Sequence, residues 1–66
     1  MRITLNGDPY EMVEPLTISR LLAALEIDPR RIAVEHNSVI VKRATYGTSL
    51  VRPGDKVEIV NFVGGG

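Results

Sequence analysis

Three glycines, Gly64, Gly65 and Gly66, stand at the end of the sequence, directly after the strand-like pair Phe62 and Val63. Glycine finishes a strand poorly because it loses the most backbone entropy on folding and packs no side chain. Three extended residues reach at most about 10 Å, which is enough to enter a narrow cleft of another protein. We interpret this run as a thin, flexible tail whose α-carboxylate is the functional group. The alternative is a frayed end, since most chain termini fray.

The other residue types offer little chemistry. There is no cysteine, so acyl or sulfur chemistry cannot use a thiol side chain, and His36 is the single histidine. One histidine supports neither a metal cluster nor a catalytic triad with the scattered serines. The terminal glycines lack the Lys-Ser/Thr and the following helix of a phosphate-binding loop. We therefore expect a protein that is not an enzyme and holds no metal or cofactor. His36 and the dispersed carboxylates are predicted to be solvated surface groups.

Composition indicates one small domain. The 66 residues are 44% hydrophobic, and the eight basic and eight acidic residues cancel in charge. A chain of this size buries only about 60% of the surface that it exposes when unfolded, so marginal stability is expected. Charge neutrality argues against nucleic acid as a partner. No apolar stretch reaches the length of a membrane span or forms a signal-peptide core, so we expect no membrane partner and a cytoplasmic location.

The first half of the sequence predicts a hairpin followed by a helix. Hydrophobic residues alternate over residues 1–5, Asn6-Gly7 is a strong hairpin-turn signal, and residues 10–13 return as a second strand. The period then changes to that of a helix with one apolar stripe. The stripe is formed by Ile18, Leu21, Leu22 and Leu25. Thr17 is the predicted N-cap, preceded by a hydrophobic staple from Leu16 to Leu21, and Asp28-Pro29 is the predicted stop.

The second half predicts short strands joined by turns. Ile32 and Val34 lie on one face of the third strand, and Ala33 and Glu35 lie on the other. Residues 44–51 show no clear period and are predicted to form a loop or a single helical turn. The remaining predicted elements are a strand at 31–36, an edge strand at 39–41, a turn at 52–55 and a last strand at 56–63.

This order predicts an α+β fold of the β-grasp, or ubiquitin-like, type. A mixed sheet of four to five strands would carry one main helix on one face, and the last strand would return to the centre of the sheet. The predicted domain covers residues 1–63, with 64–66 as its flexible tail. A split βαββ-type sandwich is the alternative.

The last strand also predicts a docking surface. If Val57 and Ile59 face the helix, then Val60 and Phe62 face away from it, beside the tail. Exposed apolar side chains next to a functional group suggest that a partner docks there. In the alternative, the loop at 44–51 covers Val60 and Phe62.

Several segments together resemble the sulfur-carrier proteins of thiamine biosynthesis, the ThiS family. They are Ala33-Val34-Glu35-His36-Asn37, Val41-x-Arg43, Tyr46, Gly54-Asp55-Lys56-Val57-Glu58-Ile59-Val60 and Val63-Gly64-Gly65-Gly66. The resemblance covers essentially the whole chain. Lys42 departs from it, because family members often carry proline at this position of the edge strand.

The resemblance implies a mechanism for the tail. An ATP-dependent activating enzyme would adenylate the carboxylate of Gly66, which a sulfur-donor enzyme would help convert to a thiocarboxylate. Thiazole synthase would then receive the sulfur, and Gly64 and Gly65 would let the tail thread into both active sites. The carrier itself needs no cofactor.

Three other functions remain open. The small subunit of molybdopterin synthase uses the same tail, but those proteins tend to be longer. A β-grasp interaction module would carry the glycines incidentally. A ubiquitin-like tag would form adducts on lysines of other proteins.

Overall fold

The computed structural model describes residues 1–61, which form seven short strands, one α-helix and two 3₁₀ helices. The strands are β1 (Arg2–Leu5), β2 (Asp8–Glu11), β3 (Leu16–Thr17), β4 (Ile32–His36), β5 (Val39–Ile40), β6 (Leu50–Val51) and β7 (Lys56–Asn61). Helix α1 is Ile18–Ala24, and the 3₁₀ helices are Pro29–Arg31 and Arg43–Thr45.

Five of the strands form one mixed sheet in the order β2-β1-β7-β4-β5. Neighbours pair antiparallel except β1 and β7, which run parallel, and a separate two-stranded ladder joins β3 to β6. The last described strand, β7, therefore lies at the centre of the sheet. This is the predicted α+β arrangement of five strands with one main helix, and the split sandwich is not observed.

Both hairpin turns place two residues in the left-handed region. Asn6 and Gly7 have φ of 49° and 85°, and Asn37 and Ser38 have φ of 52° and 71°. A two-residue turn with positive φ at both positions matches the right-handed twist of the flanking strands. Asparagine tolerates this conformation better than most residues, which explains why both turns begin with it.

Helix α1 begins as the sequence predicts. The hydroxyl of Thr17 accepts a hydrogen bond from the Arg20 amide at 3.2 Å, which satisfies one of the free N–H groups of the first turn. The stripe residues Ile18, Leu21 and Leu22 are all at most 1% exposed. The helix therefore packs its apolar face against the sheet.

The end of α1 differs from the prediction. The helix stops at Ala24, with Leu25 as C-cap, rather than at Asp28-Pro29. Glu26 adopts φ of 58°. Two hydrogen bonds close the end of the helix, one from the Glu26 amide to the Ala23 carbonyl and one from the Ile27 amide to the Leu22 carbonyl. This is a Schellman motif, which satisfies the last carbonyls before the proline is reached.

The core lies between α1 and one face of the sheet. It also includes Tyr46 and Val51, which are 5% and 0% exposed. Both come from residues 44–51, predicted as a loop or a single helical turn. The segment in fact combines part of a 3₁₀ helix with strand β6, and it anchors itself by these two side chains. The other buried residues are Ile3, Met12, Ile18, Leu21, Leu22, Ile32, Val34 and Val57.

Glu26→Gly is expected to stabilise the fold. Glycine adopts the left-handed conformation without the steric penalty of a Cβ, so the free energy of unfolding should rise by about 1 kcal/mol. Urea unfolding measures the change. Glu26→Gln removes the same charge but keeps the Cβ, so an equal gain in that control would contradict the backbone explanation.

Candidate functional site

The strand that leads to the glycines is held on both sides. β7 pairs with β4 from Val57, opposite His36, to Asn61, opposite Ile32. On its other edge it pairs with β1 only at Lys56 and Val57. Beyond that point, the Ile59 amide donates a hydrogen bond of 2.7 Å to the Asn6 side-chain oxygen. This bond continues the contact on the β1 side of β7 past the end of the backbone pairing. The root of the predicted tail is therefore fixed in the sheet as far as Asn61.

Most of the predicted site residues lie outside the described part of the chain. Phe62, Gly64, Gly65 and Gly66 are not among residues 1–61, and neither is the predicted domain boundary at 63. The placement and the roles of these residues stay predictions.

Val60 lies on the face of the sheet that points away from α1. Its side chain is 56% exposed, whereas Val57, of opposite orientation, is fully buried. The alternative in which residues 44–51 cover Val60 is wrong. That segment lies against α1 instead, where the amides of Ile18 and Ser19 donate to the carbonyls of Ser49 and Tyr46 at 2.9 Å.

Val60 belongs to a larger surface on this side of the sheet. We call it the outer face and define it by Ala33, Glu35, Ile40, Glu58 and Val60. Ala33 lies opposite Val60, Glu35 lies opposite both Glu58 and Ile40, and Ile40 is 71% exposed. The outer face thus combines two exposed apolar side chains with two neighbouring carboxylates.

His36 and Asp55 form a hydrogen-bonded pair that the sequence did not predict. Their Nε2 and Oδ2 atoms are 2.6 Å apart, and the side chains are only 19% and 17% exposed. The predictions of a surface histidine and of a solvated carboxylate are wrong for this pair. One signal was available, because His36 has the same parity on β4 as the buried Ile32 and Val34 and therefore points to the helix side.

The environment of Asp55 favours its charged form. Partial burial opposes ionisation, but hydrogen bonds from the Arg52 amide, at 2.9 Å, and from the side chains of His36 and Asn37 outweigh it and lower the pKa of Asp55. The Asn37 side-chain oxygen also accepts from the Lys56 amide at 2.8 Å. These hydrogen bonds fix the turn before β7, so we infer that His36 and Asp55 position the start of that strand.

Residues 1–61 contain no group of three or more histidine, cysteine or acidic side chains placed to hold a metal ion. None of the helices among these residues is long and apolar enough to cross a membrane. The described surface does carry the outer face, which includes Glu58 and Val60 of β7, the strand that leads to the glycines.

Comparison with known proteins identifies the family. A family model described as the ThiS family matches residues 3–66, which includes the glycine run. The chain belongs to the ThiS family. The predicted resemblance to the sulfur-carrier proteins of thiamine biosynthesis is therefore confirmed. The expectation that this chain is a protein co-substrate rather than an enzyme stays a prediction.

Individual relatives agree with this assignment. The crystal structure of the thiamine biosynthesis protein ThiS from Geobacter metallireducens has a TM-score of 0.90 and 35% sequence identity, with both chains covered completely, which confirms the β-grasp fold. The sulfur carrier protein ThiS of Bacillus subtilis is 38% identical over 65 residues, or 97% of this chain and 98% of its own length. A thiazole synthase of Magnetococcus marinus is 41% identical over 66 residues, and this ThiS-family chain spans only 20% of its length.

Asp55→Asn tests the hydrogen bonds that Asp55 makes before β7. A carboxylate with a lowered folded-state pKa stabilises the fold above its unfolded pKa of about 4, and this stabilisation is lost as the pH falls through the folded pKa. At pH 7 the free energy of unfolding of the variant should be lower by about 2 kcal/mol, because a charged hydrogen-bond acceptor is lost. Its deficit relative to the parent chain should shrink below pH 4.

Urea unfolding as a function of pH measures both effects. Asp8→Asn, at an exposed position in β2, is the matched control and should leave the pH dependence unchanged. A deficit of the same size at every pH would show that the Asp55 charge does not contribute.

Proposed function

We propose that this chain is a sulfur carrier of thiamine biosynthesis whose carrier group is the carboxylate of Gly66. The observation that supports this most strongly is the family match, which continues through the terminal glycines to residue 66. The anchoring of β7 as far as Asn61 adds support, because a tail that enters another protein needs a fixed root. In this proposal residues 1–63 form the domain and residues 64–66 form the tail.

The proposed chemistry needs nothing from the carrier except the tail. A carboxylate is a poor electrophile until one oxygen becomes part of a good leaving group. An activating enzyme would join the Gly66 carboxylate to the α-phosphate of ATP and release pyrophosphate. A sulfide equivalent from a sulfur-donor enzyme would then displace AMP and leave a thiocarboxylate. Gly64 and Gly65 would pass through narrow channels because they have no Cβ.

Thiazole synthase is the proposed acceptor of the sulfur. A thiazole synthase from another organism contains a segment similar to this whole chain, which is consistent with a carrier and an acceptor that work together. We propose Val60 and Phe62 as apolar docking residues for the partners, and the cytoplasm, where ATP is available, as the location.

The intact mass of the chain tests the carrier function. After incubation with ATP, sulfide and the thiamine-branch activating enzyme, we expect the mass gain of one oxygen replaced by sulfur, mapped to Gly66. The molybdopterin-branch activating enzyme serves as a parallel control and should give no gain. A chain extended by one residue after Gly66 should also give none, because its carboxylate is displaced. Absence of the gain in the parent chain would contradict the proposal.

Gly65→Ala tests the threading of the tail. The added Cβ should clash with the channel walls and lower kcat/KM for adenylation at least tenfold, or about 1.4 kcal/mol, while urea unfolding stays unchanged. Gly47→Ala is the matched control, since a Cβ at Gly47 meets no atom within 4 Å. Equal turnover by the two variants would show that the tail does not enter a narrow channel.

A further inference from the structure

The two hairpin turns hold β7 in the same way. Asn6 and Asn37 each stand first in a two-residue turn, with φ of 49° and 52°. The Asn37 amide donates to the Lys56 carbonyl at 2.7 Å, and the Asn37 side-chain oxygen accepts from the Lys56 amide at 2.8 Å. The Asn6 amide donates to the Val57 carbonyl at 2.9 Å, and the Asn6 side-chain oxygen accepts from the Ile59 amide at 2.7 Å. Each asparagine therefore makes one backbone and one side-chain hydrogen bond to β7.

The side-chain bond of Asn6 lies where β7 loses its neighbour on the β1 side. Strand β1 ends at Leu5 and the chain turns back into β2, so the paired residues of β7 on that side end at Val57. On its other side β7 stays paired with β4 as far as Asn61. Among residues 1–61, the Asn6 side chain therefore makes the last hydrogen bond to the β1 side of β7 before the strand leads to the glycines.

Pairing on one side only makes the end of a strand easier to release. Local openings of a native protein need the least free energy at the ends of elements, where few hydrogen bonds and contacts break. One net hydrogen bond changes the equilibrium of such an opening by about fivefold. Asn6 accepts from Ile59, which stands two residues before Asn61 at the end of β7, so its bond opposes release of the segment that leads to the glycines.

We propose that Asn6 is a positioning residue for the C-terminal tail, because its side-chain oxygen keeps the end of β7 in the sheet and so sets the direction in which the tail leaves the domain. This inference rests on the proposed carrier function and adds a residue from the first hairpin on which that function depends. A chain whose β7 end has left the sheet presents its tail in many directions, so only the held fraction binds the activating enzyme productively. Asn37 makes its bond at the start of β7 and has no such role.

Asn6→Gly removes the side-chain oxygen but keeps the turn, because glycine adopts positive φ readily. Hydrogen exchange of the free carrier, followed by NMR, measures release of the strand end at the Val60 amide. This amide points to β4, since successive amides of a strand point to opposite sides, so the substitution does not remove its own bond. We expect about fivefold faster exchange at Val60. The KM of the carrier for adenylation, from pyrophosphate release, should rise at least about twofold with kcat unchanged.

Two further variants separate positioning from stability. Asn37→Gly is the matched control, because it loses the same kind of side-chain bond to β7 and adds the same entropy to the unfolded chain. Its urea midpoint should fall at least as far as that of Asn6→Gly, while exchange at Val60 and KM stay unchanged. Asn6→Asp is the conservative variant. Its carboxylate oxygen still accepts from the Ile59 amide and aspartate tolerates positive φ, so exchange and KM should match those of the parent chain.

Each outcome decides for or against the role of Asn6. Faster exchange at Val60 together with a higher KM in Asn6→Gly, and neither change in the other two variants, supports the proposal. Unchanged exchange overturns it even where KM rises, because the side chain would then contact the enzyme directly. Faster exchange with an unchanged KM also overturns it, as does an equal rise of KM in Asn37→Gly, which would reflect stability alone. Failure of the parent chain to be adenylated would reject the carrier function itself, and the role of Asn6 with it.

Discussion

The pairing of β7 at the centre of the sheet is the interaction on which the rest of the structure depends. This strand joins the hairpin of β1 and β2 to the hairpin of β4 and β5, so neither pair meets the other without it. The parallel contact with β1 is short, and Asn6 lengthens it through its side chain. Because β7 comes last of the described strands, the chain can complete the sheet only after every earlier element is available.

The described part of the sheet is covered by the helix on one face only. Residues 1–61 contain a single α-helix, and that helix covers the inner face of the sheet, where side chains such as Ile3, Val34 and Val57 are buried. Nothing within residues 1–61 covers the outer face in the same way, where Ile40 and Val60 stay exposed. A partner that docks as we propose would cover these exposed apolar side chains.

In the function that we propose, the reacting group and its structural support lie in different parts of the chain. Within residues 1–61, the hydrogen-bonded pair of His36 and Asp55 fixes the turn before β7. In our proposal the reacting group is the terminal carboxylate, which a partner would activate. The carrier would contribute a fixed root in β7, the glycine tail and a surface for docking.

The sequence by itself determined the local elements and the family, because these depend on neighbouring residues. Alternation predicted the strands, a helical stripe with Thr17 as its cap predicted the start of α1, and the glycine run suggested the tail. Only the tertiary structure determines the contacts that depend on how strands distant in sequence are aligned. His36 meets Asp55 across 19 residues of sequence, and Glu35 faces Glu58 only because β4 pairs with β7 in this alignment. A shift of β4 by one residue would turn Glu35 to the other face and separate it from Glu58, so no local pattern specifies the pair.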